Sequence, residues 1–395
     1  MLGNFVSGLG TQAALVALPY QVYVETRSAL LTGLLGAVEL GPLILMALLG
    51  GALADRSDRR RLLLLDQIGL VAVATALCAV TVAGDPSIAV LFVLAGLLAG
   101  FGALQNVVRT AIVPNLVARE DMPAALAINF GLYQLTMVLG PGLGGLLISA
   151  AGVEAAYAVD AVSCLAMVGA VVALSPQLPQ LAGERLSIRR SIGEGLRFVR
   201  RSPALLGSFA IDLSAMTFGM PRALFPVLAI SVYDAGASGT GLLFASVSAG
   251  AVVAALTTRW LDHVRKLGLV TIAAVCVWGL AIAAVALVNS LWAAAALLAV
   301  AGAADSVSAV CRSVINQTVT PDALRGRMSS VFSLVVTSGP RLGAVEAGAM
   351  AALTSPRFSV LSGGIACVAA AGLVVLAFPA LARYDKDEAI AAMGS

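Results

Sequence analysis

The sequence predicts an all-α integral membrane protein, with twelve transmembrane helices in two pseudo-symmetric six-helix bundles. Three observations predict it. Of 395 residues, 60% are hydrophobic and 11% charged, with a mean hydropathy of +0.98. About 25% charged is usual for a soluble domain, and a soluble fold of this composition could not cover its surface. Apolar runs long enough to cross a bilayer recur twelve times. The second half of the chain repeats the first.

A spanning helix needs about 20 apolar residues. The first bundle is predicted over 1–174, with spans at 2–23, 31–54, 62–83, 88–113, 124–151 and 154–174. A linker over 175–203 precedes a second bundle over 204–382, with spans at 204–232, 239–260, 268–288, 291–318, 328–353 and 357–380. Residues 383–395 form a tail. The longest runs tilt or continue past the bilayer as ordered helix.

Alternate connections differ in charge. Arg56, Arg59, Arg60 and Arg61 follow the second span, Arg119 the fourth, and Arg185, Arg189, Arg190, Arg197, Arg200 and Arg201 the sixth. Arg259, Arg265 and Lys266 follow the eighth, Arg325 and Arg327 the tenth, and Arg383 and Lys386 the last. The other connections hold only Arg27 and Arg357. The positive-inside rule therefore places the basic set and both termini in the cytoplasm. In the linker, Ile188, Ile192, Leu196 and Val199 keep helical spacing, with arginines between them. This predicts an amphipathic helix on the inner leaflet.

The repeat has four matches in order. Thr32-Gly33-Leu34-Leu35 returns as Thr240-Gly241-Leu242-Leu243, and Pro19 as Pro226. Arg109-Thr110-Ala111-Ile112 returns as Arg312-Ser313-Val314-Ile315, and Gly140-Pro141-Gly142-Leu143-Gly144 as Gly339-Pro340-Arg341-Leu342-Gly343. The offsets run from 199 to 208. Tandem six-helix halves are a transporter architecture.

Other chemistries find little support. Cys78, Cys164, Cys276, Cys311 and Cys367 each stand alone in an apolar run, and His263 has no second ligand nearby, so no metal site or disulfide framework is expected. No basic patch with interleaved aromatics points to nucleic acid. There is no Walker A sequence, so ATP is not the expected energy source. Gly140, Gly142 and Gly145 spell a dinucleotide fingerprint by accident, without the strand that such a site needs. A membrane-embedded enzyme would need a nucleophile–base or metal constellation, and none is visible.

The segment Gly51-Ala52-Leu53-Ala54-Asp55-Arg56-Ser57-Asp58-Arg59-Arg60 resembles the loop between spans 2 and 3 of the major facilitator superfamily, departing at Asp58 where that family often has glycine. Its counterpart in the second half, Trp260 to Lys266, is degenerate, with His263 near the place of Asp55. Gly140-Pro141-Gly142-Leu143-Gly144-Gly145 is similar to the glycine-proline element of exporting antiporters. Pro114 to Asp121, Thr320 to Arg327, Arg222 to Pro226 and the Gly193–Pro203 linker resemble the enterobactin-exporter and macrolide-efflux branch. That branch usually opens with a short basic segment, which implies a true start upstream of Met1.

The resemblance implies alternating access, with Gly51, Asp55, Arg56, Arg59 and Arg60 biasing the conformational equilibrium. Asp55 would accept from amides at a facing helix N-terminus, and Arg59 would pair with a carboxylate. Gly140, Pro141, Gly144 and Gly145 permit close helix contact and a bend. Charges within spans cost about 2.5–3.5 kcal/mol each on insertion scales, so they mark function. The candidates among them are Glu39, Arg109, Asp212, Arg222, Asp305, Arg312, Arg341 and Glu346. Glu39 and Asp305 lead as proton-exchanging carboxyls, with Glu346 and Asp212 next. Asp305 and Arg312 share a helix face, and Glu39 or Asp305 could satisfy Arg341. Arg109 and Asp160 read as residues near span ends in interfacial or capping contacts, Gln12, Gln21, Asn129 and Gln134 as cavity lining, and Asp66 as a partner of the basic loop.

The expected function is proton-driven export of small amphipathic molecules, drug or siderophore-like, across the inner or plasma membrane. Proton-coupled uptake of a small metabolite is the alternative. The expected partners are the substrate and the lipid bilayer, with no cofactor, no metal and no nucleic acid, and the chain is expected to act as a monomer.

Overall fold

The computed structural model describes residues 2–116, 120–173, 188–321 and 324–388. The first six helices are α1 (Leu2–Thr26), α2 (Ala29–Arg56), α3 (Arg59–Val82), α4 (Ile88–Leu116), α5 (Met122–Ala151) and α6 (Val153–Val172). They match the six predicted spans within a few residues. Ser28 caps α2 by accepting from the Leu31 amide, and Asp58 caps α3 by accepting from the Arg60 amide at 3.0 Å. The departure at Asp58 thus has a local cause: its carboxylate takes one of the orphan amides that open a helix. A single residue, Gly152 at φ +86°, turns α5 into α6, a conformation that strains any residue with a Cβ.

The amphipathic α7 (Ile188–Arg201) is present as predicted, and the first part of the linker, with Arg185, lies outside the described residues. It packs against α8 and α13, with Val199 buried and Arg197, Arg200 and Arg201 exposed. The second set of spans comprises α8 (Pro203–Phe218), α9 (Phe225–Ser231), α10 (Gly236–Thr257), α11 (Leu267–Val285), α12 (Leu291–Val319), α13 (Arg325–Leu353) and α14 (Pro356–Ala377), followed by a short α15 (Pro379–Ala382).

The predicted span 204–232 is not one helix. It breaks after Phe218 and resumes at Phe225 through a 3-10 turn, Arg222–Leu224. Pro221 disfavours helical geometry at Met220 and lacks an amide to continue the ladder. Backbone freed inside a membrane needs a partner, and Trp278 Nε1 donates to the Gly219 carbonyl at 2.9 Å.

Ten segments are long and apolar enough to cross a membrane among the described residues, and α1 and α13, at 25 and 29 residues, complete twelve by length. Two compact units emerge: Met1–Gly183 with Phe225–Ala245, and Glu184–Leu224 with Ser246–Ser395. The first unit is centred on Leu18, Leu70, Leu77, Leu91 and Tyr157, with Ala237 joining the same cluster. Association of helices in lipid rests on close packing and interhelical hydrogen bonds rather than on the hydrophobic effect. The repeat is visible in that packing. A Cβ on Gly144 of α5 would stand 2.7 Å from Ala13 Cα of α1, and one on Gly140 would overlap Gln12. In the second unit, Gly339 and Gly343 of α13 meet Met216 and Thr217 of α8 in the same way.

Candidate functional site

Each unit holds a polar constellation around an arginine. In the first unit, α1, α4 and α5 enclose a cavity of about 110 Å³. Its polar lining is Asn4, Thr11, Gln12, Gln105, Arg109 and Tyr133, with Ser7 and Thr136. Arg109 Nη1 donates to Asn4 Oδ1 at 2.7 Å, and no carboxylate among the described residues forms an ion pair with it. Arg109 lies at the end of the apolar stretch Ile88–Arg109, about two turns before α4 ends at Leu116, and its side chain lines the cavity. Of the four amides expected to line a cavity, Gln12 lines this one, and it donates to Met137 Sδ at 3.4 Å. Gln21 is instead buried in a structural chain, accepting from Tyr157 Oη at 2.8 Å and donating to Thr81 Oγ1 at 2.9 Å.

In the second unit, Arg312 of α12 is buried with Asp212 of α8, Nη1 to Oδ1 at 2.5 Å. Asp305, two turns earlier on α12, stands 3.9 Å from Nη2. Arg222, in the 3-10 turn of the broken span, adds its positive charge to the field at Asp305. The shared face of Asp305 and Arg312 is thus real, but the tighter partner is Asp212, one hundred positions away. Asp212 Oδ2, Arg312 Nε and the buried hydroxyl of Ser308, one turn before Arg312 on α12, have no hydrogen-bond partner among the described residues. The cluster therefore retains hydrogen-bonding capacity that a buried site normally fills.

The remaining candidates lie on several helices. Glu39 sits half-buried on α2 and does not line the Arg109 cavity. Arg341 on α13 donates to the Thr337 carbonyl one turn back at 2.9 Å, and Glu346 is half-buried further along the same helix. Asp160 is not interfacial: it is buried on α6 and accepts from Thr11 Oγ1 at 3.1 Å and Cys164 Sγ at 3.6 Å, tying α6 to α1. Among the described residues Asp66 makes no ion pair with the basic loop. The helical period turns it inward beside Leu62, Leu63 and Leu70, and it accepts from Gln67 Nε2 at 3.2 Å. Arg60 reaches across to the end of α6, donating to the carbonyls of Val171 at 3.2 Å and Val172 at 2.6 Å. That contact satisfies helix C-terminal carbonyls with a cation. Gly51 lies on α2 with open space around it. The side chains of Asp55 and Arg56 lie outside the described residues, as do Arg119 and Asp322.

The glycine-proline element makes two backbone approaches at once. Gly140 and Gly144 face α1, while a Cβ on Gly145 would stand 2.7 Å from both Gly241 Cα and the Ala237 carbonyl of α10. One on Gly241 would meet the Pro141 carbonyl at 2.6 Å. Only glycine at 145 and 241 allows that proximity.

Residues 2–393 match the family described as transmembrane secretion effector. The chain belongs to this family of major facilitator transporters. It is similar to the enterobactin exporter EntS of Salmonella typhi, at 30% identity over all of this chain and 94% of that protein. The enterobactin exporter EntS of Escherichia coli (strain SMS-3-5) is 30% identical over 98% of this chain and 92% of its own. Among solved structures, the nucleoside transporter NupG superposes with a TM-score of 0.70 at 13% identity, covering 96% of this chain and 97% of its own. A bacterial homologue of the iron transporter ferroportin gives 0.71 at 16% identity, covering 96% and 97%. These two establish the fold alone. Family membership makes the chain a multi-pass membrane transporter, and the two arginine constellations are its candidate working parts.

Proposed function

We propose that the protein exports a small amphipathic, siderophore-like molecule bearing acidic oxygens, in exchange for protons, by alternating access. The observation that carries this reading is the Arg109 cavity. Its cation has a neutral partner, Asn4, and stands among Gln12, Gln105 and Tyr133. A planar guanidinium without a carboxylate suits paired oxygen acceptors and favours an anionic ligand. Tyr133 offers a ring face and a hydroxyl to an aromatic group. In this reading the Asp212–Arg312–Asp305 cluster handles the proton. Arg312 can be shared between two carboxylates, and protonating one leaves the other still paired. The charge bias of the connections supports termini on the cytoplasmic side of the inner or plasma membrane in this reading. The relatives' printed activity, enterobactin export, points the same way.

Everted membrane vesicles test this directly. With an imposed proton gradient, vesicles containing the protein should accumulate enterobactin and release protons on its addition, and an uncoupler should abolish both. Accumulation that ignores the uncoupler would contradict proton exchange, and accumulation only in right-side-out vesicles would show uptake instead.

A further inference from the structure

The second unit carries another cavity, unrelated to the arginine cluster's polar face. It has a volume of about 460 Å³ and lies where α10 ends, α11 begins and α12 approaches its C-terminus. Leu256, Leu261, Val310 and Val314 form its apolar wall, and Arg259, Asp262 and Lys386 its polar rim. Arg259 makes no hydrogen bond or ion pair among the described residues. Lys386 is held in place: its amide donates to the Arg265 carbonyl at 2.9 Å and its Nζ to the Asp262 carbonyl at 2.7 Å. The tail that bears Lys386 is fixed by Arg265, which pairs with Asp385 at 3.4 Å and Asp387 at 2.9 Å. It is fixed further by Tyr384 bonded to Thr318 of α12 and by Leu381 seated against Gly207 and Gly268.

Depth is set by two further observations. Leu256 is 81% exposed and Val253 61%, so the last turns of α10 present apolar side chains outward. Trp260, next to Arg259, is 48% exposed, and exposed tryptophan at a span end marks the headgroup level. This end of the bundle also carries the basic connections. An apolar wall rising to a cationic rim at headgroup depth matches an amphiphile with an acidic head.

We propose that this cavity binds an anionic phospholipid of the inner leaflet, with the phosphate held by Arg259 and Lys386 and one acyl chain against Leu256 and Val253. Asp262 turns its carbonyl to Lys386 and leaves the rim net positive. The wall residues Val310, Cys311 and Val314 adjoin Arg312 on α12, so an occupied cavity braces the helix that carries the arginine cluster. Nothing in this site depends on the Arg109 cavity or on proton exchange.

The test is a thermal-melting titration of the purified full-length protein in detergent, with phosphatidylglycerol, phosphatidylethanolamine, phosphatidylcholine or inorganic phosphate. Phosphatidylglycerol should act at roughly tenfold lower concentration than either zwitterionic lipid, since each basic residue near the surface contributes appreciably to anionic-lipid binding. Arg259→Gln, at an exposed position outside the proposed substrate and proton sites, should raise that midpoint about fivefold, while Arg357→Gln should not. Val310→Trp, which fills the cavity, should remove the phosphatidylglycerol preference. Equal midpoints for all lipids, or an unchanged midpoint in Arg259→Gln, would overturn the proposal. Full stabilisation by inorganic phosphate alone would replace the lipid with a soluble anion and overturn it too.

Discussion

Arg109 and Arg312 occupy matching places in a duplicated sequence, and they live in opposite electrostatic settings. Arg312 shares its charge with Asp212 and Asp305, whereas Arg109 bonds to the neutral Asn4 beside a cavity. The difference can be traced residue by residue. The glycine contacts set α8 against α1 at an offset of 204, from Gln12 to Met216, and the arginines set α12 against α4 at 203. On those registers Gly8 stands in the place of Asp212, and Gly102 in the place of Asp305. The first half has thus lost, or never acquired, both counter-charges. One arginine is a member of a neutralised buried cluster, and the other is an open cation, which suits ligand capture.

Removing the two arginines should separate the roles. Taking one partner from a buried ion pair costs about 3–5 kcal/mol because the other charge is left stranded. Arg312→Ala should therefore lower the melting temperature of the purified protein sharply or abolish folded yield, and Asp212→Asn with Arg312→Gln should recover much of it. Arg109→Gln should melt close to wild type, because its single bond to Asn4 faces a cavity. Similar melting losses for both arginines would remove the distinction.

The comparison can also be sharpened by making the halves more alike. Open space surrounds Gly102, with nothing within 4 Å of a Cβ placed there. Gly102→Asp should supply the missing carboxylate, partly neutralise Arg109 and weaken binding of an acidic substrate on the order of tenfold. Gly102→Asn, a neutral control of the same size, should weaken it far less. Equal effects from both would point to sterics.

A smaller effect is expected at the glycine seam. Gly145→Ala forces α5 and α10 apart, and overpacking of this kind costs about 1–3 kcal/mol. Gly51→Ala meets nothing within 4 Å and should leave melting unchanged. Equal melting of the two variants would show that the seam tolerates separation.

The least effect is expected at the tail. Desolvation would raise the Asp385 carboxyl, but the amides of Asp387 and Glu388 and the Arg265 guanidinium together hold it below its ordinary value. A depressed carboxylate stabilises the strap above the ordinary carboxylate range and ceases to do so as pH falls through its lowered value. Hydrogen exchange at residues 384–388 should thus be slow from neutral to mildly acid pH and accelerate only below the usual carboxylate range. Acceleration already near neutral pH would mean that Asp385 does not hold the strap.

Much of this was legible in the sequence. The spans could be read because a bilayer leaves little choice but helices of fixed length, and the repeat exposed the paired arginines at once. Three things were hidden. The break at Gly219–Leu224 lay inside a run apolar enough to pass as one span, although Pro221 was its local signal. Asp212 and Arg312 are close only in the folded chain, so local spacing offered Asp305 as the partner instead. Gln21 and Asp160 looked like cavity and interface residues, and became structural once Tyr157, Thr81, Thr11 and Cys164 closed around them. In each case tertiary proximity decided what helical periodicity could not.

Binding of enterobactin to the purified protein, measured calorimetrically, tests the division of labour most directly. Hydrogen bonds to a charged group contribute about 1.5–3 kcal/mol, so Arg109→Gln should weaken binding roughly 10- to 100-fold, while Asp305→Asn at fixed pH stays within about threefold of wild type. Undiminished affinity in Arg109→Gln, or an equal loss in both variants, would contradict the assignment of substrate to one half and proton to the other.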